Sequence, residues 1–325
     1  MSRSPGRLVT LADVETAAAA INHQVVRTPL LVAEWGLADA PLWLKAESLQ
    51  VGGAFKIRGA TNAVARLDAE QRARGVVTHS SGNHAQALAR AGRAAGVAVT
   101  VVMPNQAPAI KREATRAQGA EVVLVDISER AAATSEIQRR TGAEFVPPYD
   151  DPAIIAGQGT VGLEVVAQLP DVATILVPVS GGGLISGIAV AAKALRPGVR
   201  VVGVEPELAG DLAEGFAAGQ RVEWSSADTG RTIADGLRVT AVGARNWDHI
   251  ESLVDDVITV SEDEIVAAMR RIVVESRLVC EPSGAVAVAG YLRYAERLGQ
   301  GPTVAVVSGG NVEPARLADV LTRTP

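Results

Sequence analysis

Cysteine is nearly missing from this chain of 325 residues: Cys280 is the only one. No disulfide can close within the chain, and a reducing compartment is the expected setting. Aromatic residues make up 3% of the sequence, which leaves few faces for bases to stack on. Positive charge is not in excess either. The net charge is -5, which argues against a nucleic-acid surface and against an anionic membrane as partner. No uninterrupted apolar run approaches the roughly 20 residues that a membrane-spanning helix needs. No apolar segment of the secretory kind follows Met1-Ser2-Arg3-Ser4-Pro5-Gly6-Arg7. Repeats, low-complexity tracts and long linkers are absent as well. These absences lead to the expectation of a soluble, cytoplasmic protein that binds neither nucleic acid nor membrane.

What the chain does have is apolar content and glycine. Hydrophobic residues are 48% and charged residues 21% of the sequence, which suits a substantial core. Short apolar runs alternate with segments of helical period. Residues 75–79, 97–103, 121–126, 173–179, 200–204 and 303–307 read as strands. Residues 83–94, 109–118, 184–195 and a segment ending at Arg140 read as helices. Strands that are apolar throughout belong to sheets covered on both faces. The expected class is α/β with two open, mainly parallel sheets. Residues 67–147 form a βαβαβα unit, expected as a small domain inserted into a large one made of 1–66 and 148–325. Ser261 with Glu264 is a capping box ahead of Ile265. Residues 215–232, rich in Gly, Ser and Asp, read as one long surface excursion.

Four segments carry chemistry. Lys56 lies in Gly52-Gly53-Ala54-Phe55-Lys56-Ile57-Arg58-Gly59-Ala60. Most lysines are solvated surface charges. Here the small neighbours leave room for a planar ring, and partial desolvation favours the neutral amine that imine formation requires. The run Ile175-Leu176-Val177-Pro178-Val179 opens into Ser180-Gly181-Gly182-Gly183-Leu184. Backbone N–H groups of Gly181, Gly182, Gly183 and Leu184 can converge there on an anion at a helix N-terminus. A tight packing turn or a nucleotide site competes with that reading. Glu205 stands where a ribose-binding acid would, but Ser186 replaces the third glycine of a dinucleotide fingerprint. No Gly-Lys-Ser/Thr is present, which excludes a Walker A loop. Thr78-His79-Ser80-Ser81-Gly82-Asn83-His84 suits a carboxylate nest or a plain helix cap. His79 and His84 lack the supporting ligands of a zinc site. Finally, Ser308-Gly309-Gly310-Asn311 ends the last strand. Open α/β sheets bind ligands beyond the carboxyl ends of their strands, where the three turns lie. An imine-forming lysine and a phosphate turn together point to pyridoxal phosphate.

With these motifs the chain resembles, over nearly its whole length, pyridoxal-phosphate enzymes of the tryptophan-synthase-β fold type (fold type II). The resemblance is to the serine racemase and threonine/serine dehydratase group. It implies that Lys56 carries the cofactor, with Phe55 beside the ring and Asn83 on the ring 3′-oxygen. Gly181, Gly182, Gly183 and Leu184 hold the phosphate, and Ser308 meets the pyridine nitrogen. A hydroxyl supports a protonated ring less than a carboxylate does, which disfavours transamination and favours β-elimination. Ser80, Ser81, Gly82, Asn83 and His84 would receive the substrate carboxylate. Ser81 matches the serine that serves as the second proton donor in serine racemases. Glu205, Ala209 and Asp211 resemble a divalent-metal loop for Mg²⁺ or Ca²⁺. A homodimer acting on a small amino acid is implied. So is an ammonia-lyase acting on serine, threonine or a related β-hydroxy amino acid, with serine racemase activity as a further expectation. The enzymatic alternative is 3-hydroxyaspartate dehydratase, for which Arg130 would meet the β-carboxylate. A non-catalytic small-molecule-binding α/β protein is the alternative of another class. Val51-Gly52-Gly53-Ala54 departs from the family's usual Thr-Gly-Ser before the lysine motif. With no room after Ser308 for a further domain, feedback control by isoleucine is not expected.

Overall fold

Strands rich in Val, Ile and Leu need cover on both faces, and the chain builds two sheets around them. The computed structural model describes residues 7–322. Its strands are β1 (Leu30–Ala33), β2 (Leu42–Lys45), β3 (Val76–His79), β4 (Val99–Pro104) and β5 (Glu121–Val125). They continue as β6 (Glu144–Phe145), β7 (Thr174–Pro178), β8 (Arg200–Pro206), β9 (Asp256–Val260) and β10 (Thr303–Val306). One sheet has six strands in the order β1-β2-β10-β7-β8-β9, and the other has four in the order β5-β4-β3-β6. Every pairing is parallel except β1 with β2. The central strands β7 and β10 are buried at every position. The edge strand β5 is not, since Glu121 is exposed and the rest are half-buried.

Differences from the sequence reading fall where the apolar signal is short or broken. β2 ends on Lys45, a charge unexpected inside a strand. It is nevertheless fully buried, because its Nζ donates to Glu164 (2.6 Å), Thr28 O (2.8 Å) and Gln168 (2.9 Å). β9 was hidden by the acids that flank it. Residues 215–232 are not one excursion. Helix Asp211–Ala218 runs into them and ends at Gly219 in the left-handed region, and Ser226–Thr229 adds a helical turn. Thr229 and Thr232 are fully buried, so this segment also packs. The capping box at Ser261 forms as read.

Helix Pro152–Gln168 fixes the site, because two other helices pack on it through glycine. A Cβ at Gly157 would lie 2.6 Å from Gly59 Cα, so helix Lys56–Ala65 approaches it backbone to backbone. A Cβ at Gly187 would lie 2.3 Å from Ile155 O, which brings helix Gly183–Leu195 equally close. The lysine helix is further pinned by Arg58, whose guanidinium holds Glu47 (2.7 and 2.8 Å) and Glu164 (2.7 and 2.9 Å). Arg58 and Glu47 are fully buried, the geometry in which a paired charge is tolerated.

A candidate cofactor-binding active site

Lys56 starts its helix, preceded by a turn in which Gly52 and Gly53 have φ of 78° and 75°. Its Nζ donates to Pro148 O at 2.7 Å and sits 5.1 Å from the centre of the Phe55 ring. Burial lowers the amine's pKa to about 8, so a useful fraction is neutral near physiological pH. The turn at Ser308 is tied directly to this segment. Phe55 N donates to Ser308 O (3.1 Å), Gly310 N to Gly53 O (2.8 Å), and Asn311 Nδ2 to Gly52 O (2.9 Å). Gly53 has a local reason to carry no side chain: a Cβ there would fall 2.3 Å from Asn311 Oδ1. Ser308 is buried, and its hydroxyl has only a long contact to Ser283 O at 3.5 Å.

The phosphate-type turn follows β7. Gly182 caps helix Gly183–Leu195 with φ of 90°, a conformation that side chains avoid. The first N–H groups of a helix have no partner within it, so those of Gly183 and Leu184 face outward from the turn. Tyr149 and Asn246 wedge the turn in place. A Cβ at Gly181 would collide with the Tyr149 ring at 2.2 Å, and Asn246 Nδ2 donates to Gly181 O at 2.6 Å. Because Lys56 bonds Pro148, the neighbour of Tyr149, the lysine and the turn are joined through one short segment.

The loop 80–82 lies at the carboxyl end of β3 and leads into helix Asn83–Ala95. Gly82 N donates to Ser80 Oγ at 3.3 Å. The half-buried Ser81 hydroxyl has no partner among the described residues. Asn83 Nδ2 donates to Glu281 Oε1 (2.7 Å), and Asn83 Oδ1 accepts from Asn311 Nδ2 (2.9 Å). His84 is buried, with Nε2 on Val146 O at 3.2 Å. Burial first, then the charge of Lys56, pushes its pKa down to about 3, so the ring is neutral. Lys56, Phe55, Asn83, Ser308 and the Ser80–His84 loop are thus brought together. Arg130 heads helix Arg130–Thr141 near His79, and its buried Nε has no partner among the described residues.

Glu205, Ala209 and Asp211 form a separate cluster after β8. All three are buried. Glu205 accepts from Ala213 N (2.8 Å) and Leu212 N (3.4 Å) at the start of helix Asp211–Ala218. Asp211 Oδ2 is buried and has no partner among the described residues. Burial, then the charge of Asp211, raises Glu205 well above the usual carboxylate range, and burial raises Asp211 to about 7. No group of three or more His, Cys, Asp or Glu side chains gathers as a metal centre among the described residues.

A buried amine with a lowered pKa, a side-chain-free helix start, and converging hydroxyl and amide donors make a set that fits pyridoxal phosphate. The comparisons agree. The sequence pattern of the family described as "Pyridoxal-phosphate dependent enzyme" matches residues 21–309, and the chain belongs to that family. It is 41% identical to an L-threonine ammonia-lyase of Thermotoga maritima, over 94% of this chain and 76% of that one. It is 40% identical to a serine racemase of Arabidopsis thaliana, over 95% of each. The maize serine racemase structure superimposes with a TM-score of 0.91 at 40% identity, covering 96% of this chain and 97% of that one.

Sequence reasoning missed Glu281, Tyr149 and Asn246. Glu281 precedes Pro282, as any helix cap could. Tyr149 and Asn246 act through the backbone and through ring contact, which no local pattern announces.

Proposed function

We propose that this chain is a pyridoxal-phosphate-dependent ammonia-lyase for serine, threonine or a related β-hydroxy amino acid, with a capacity for racemisation. The observation that carries it is the buried Lys56 amine, its pKa lowered to about 8, bonded to Pro148 O, one residue from the Tyr149 wedge beneath the phosphate-type turn. Bound there, the cofactor supplies an aldehyde for an amine and a ring that spreads the electrons left when Cα loses a proton. Lys56 Nζ anchors the cofactor at rest and, once displaced by the substrate amine, takes the Cα proton. The Ser80 to His84 loop offers N–H and O–H groups for the substrate carboxylate. The Ser81 hydroxyl, free of protein partners, is the second proton-bearing group and the one that would allow racemisation. Gly181, Gly182, Gly183 and Leu184 would hold the phosphate, Ser308 would meet the ring nitrogen, and Asn83 would donate to the 3′-oxygen. The substrate's β-hydroxyl leaves as water, and hydrolysis of what remains gives a keto acid and ammonia.

The partnerless Asp211 Oδ2 beside a second buried carboxylate supports a Mg²⁺ or Ca²⁺ site at Glu205, Ala209 and Asp211, structural rather than catalytic. We take residues 67–147 as a small domain on the larger remainder, the chain as a homodimer, and the cytoplasm as its place. The buried, partnerless Nε of Arg130 supports 3-hydroxyaspartate as a second substrate class. The direct test is Lys56→Ala. The visible absorbance of bound cofactor disappears and turnover falls by at least about a thousandfold if Lys56 both anchors and transfers the proton. Retained absorbance with full turnover refutes the assignment.

A further inference from the structure

Glu281 heads helix Pro282–Tyr294 but does not cap it, since its carboxylate makes no bond to the helix N–H groups. It reaches across to Asn83 instead, at 2.7 Å, and is buried. We infer that Glu281 is a positioning residue whose carboxylate fixes which end of the Asn83 amide points into the cofactor site. This rests on the reading of the site given above.

Donor and acceptor identity sets the orientation of the Asn83 amide. A carboxylate only accepts, so it selects Asn83 Nδ2 over Oδ1. On the other side Asn311 Nδ2 only donates, and it selects Oδ1 at 2.9 Å. The amide is thus oriented at both ends. One of the two Nδ2 hydrogens is left, and it is the donor a ring oxygen needs. Without the carboxylate the amide can turn and set its carbonyl against that oxygen, a repulsive contact. Room for the carboxylate comes from Gly309, directly after Ser308, where a Cβ would lie 2.3 Å from Glu281 Oε1. Glu281 N also donates to Gly309 O at 3.0 Å, so the Glu281 and Ser308 turns are built against each other.

The charges around Glu281 give the arrangement a pH dependence. Asp235 adds negative charge, Lys111 offsets it while itself paired to Asp235 at 2.5 Å, and the neighbouring Cys280 thiol stays neutral. Burial, then Asp235, pushes the Glu281 pKa up to about 7. Protonated, Glu281 gains an O–H that can donate to Asn83 Oδ1, and the preference for one amide orientation is lost.

The test uses the holoenzyme and four variants: Glu281→Ala, Glu281→Gln, Asn83→Ala and the double Glu281→Ala/Asn83→Ala. The readouts are pyridoxal phosphate affinity and the position of the cofactor's visible band against pH. Loss of one charge-assisted hydrogen bond predicts about a tenfold weaker affinity in Glu281→Ala and in Asn83→Ala. The double variant should be no weaker than Asn83→Ala, because both act through one amide. Glu281→Gln, like the protonated acid, offers both a donor and an acceptor, so it should behave at every pH as the wild-type protein does below pH 7 and lose the band's pH midpoint near 7. Additive losses in the double variant overturn the inference. So does a midpoint near 7 that persists in Glu281→Gln, which also covers a Glu281→Ala protein too unstable to purify. If the wild-type protein takes up no cofactor, the underlying site reading has failed, and this inference is not the cause.

Discussion

Lys56 is held ready for imine chemistry by burial rather than by a charged neighbour, and this has a measurable consequence. Its folded-state pKa of about 8 lies below the ordinary 10.5. Between those values the unfolded chain binds more protons than the folded one, so stability of the cofactor-free protein rises with pH across that window. Capture of pyridoxal phosphate should follow the neutral amine, rising with pH to a plateau with a midpoint near 8. Stopped-flow absorbance of the cofactor-free protein checks this, and a flat profile from about pH 6 to 9 contradicts it. The lysine itself was legible in the sequence because Gly, Ala and Phe surround it. Its partner Glu281 was not, since a glutamate before Pro282 reads as an ordinary cap. Only the fold brings it to Asn83.

At the level of elements, glycine does two jobs in the phosphate-type turn. Gly182 supplies φ of 90°, and Gly181 leaves space for the Tyr149 ring. Gly182→Ala should cost about 1–2 kcal/mol from the left-handed backbone, with a further penalty because the new Cβ meets Asn246. Thermal unfolding should show a drop of several degrees, and cofactor affinity should fall with it. An unchanged melting temperature and affinity would remove the turn from the account. The turn was readable as strand, glycines, helix. The wedge that fixes it was not, because Tyr149 and Asn246 are remote in sequence. The lysine helix depends likewise on a distant partner. Glu47→Ala leaves Arg58 with Glu164 as its one carboxylate partner, besides Thr160 Oγ1 and Val26 O, and should cost about 3–5 kcal/mol, the usual penalty for breaking a buried pair. Denaturant unfolding measures it, and a loss under about 1 kcal/mol would mean that the network carries little.

Across the whole molecule, two sheets meet at the site. Asn83 bonds Glu281 and Asn311, and Lys111 bonds Asp235, so the four-stranded unit is clasped to the six-stranded one at the edge of the cofactor site. The parallel α/β class was evident from uniformly apolar strands such as β7 and β10. The antiparallel edge β1–β2 was not, because Lys45 broke its pattern and only Glu164, Thr28 and Gln168 make that lysine tolerable. Glu205 and Asp211 lie in a separate buried cluster after β8. Both are buried with raised pKa values, so a divalent cation should relieve their mutual repulsion. Mg²⁺ or Ca²⁺ should raise the melting temperature by several degrees, EDTA should reverse the gain, and Asp211→Asn should abolish it. An unresponsive wild-type protein argues against the metal.

The proposed reaction is a β-elimination carried by Lys56 and bound pyridoxal phosphate. Ammonia and keto-acid release, measured on the cofactor-loaded protein with L- and D-serine, L- and D-threonine and the 3-hydroxyaspartate isomers, tests it most directly. Equal yields of ammonia and keto acid are expected from serine or threonine, lost in Lys56→Ala. Hydroxyaspartate turnover that depends on Arg130 would move the substrate but keep the chemistry. A protein that stays colourless with added cofactor and releases neither product would contradict the account.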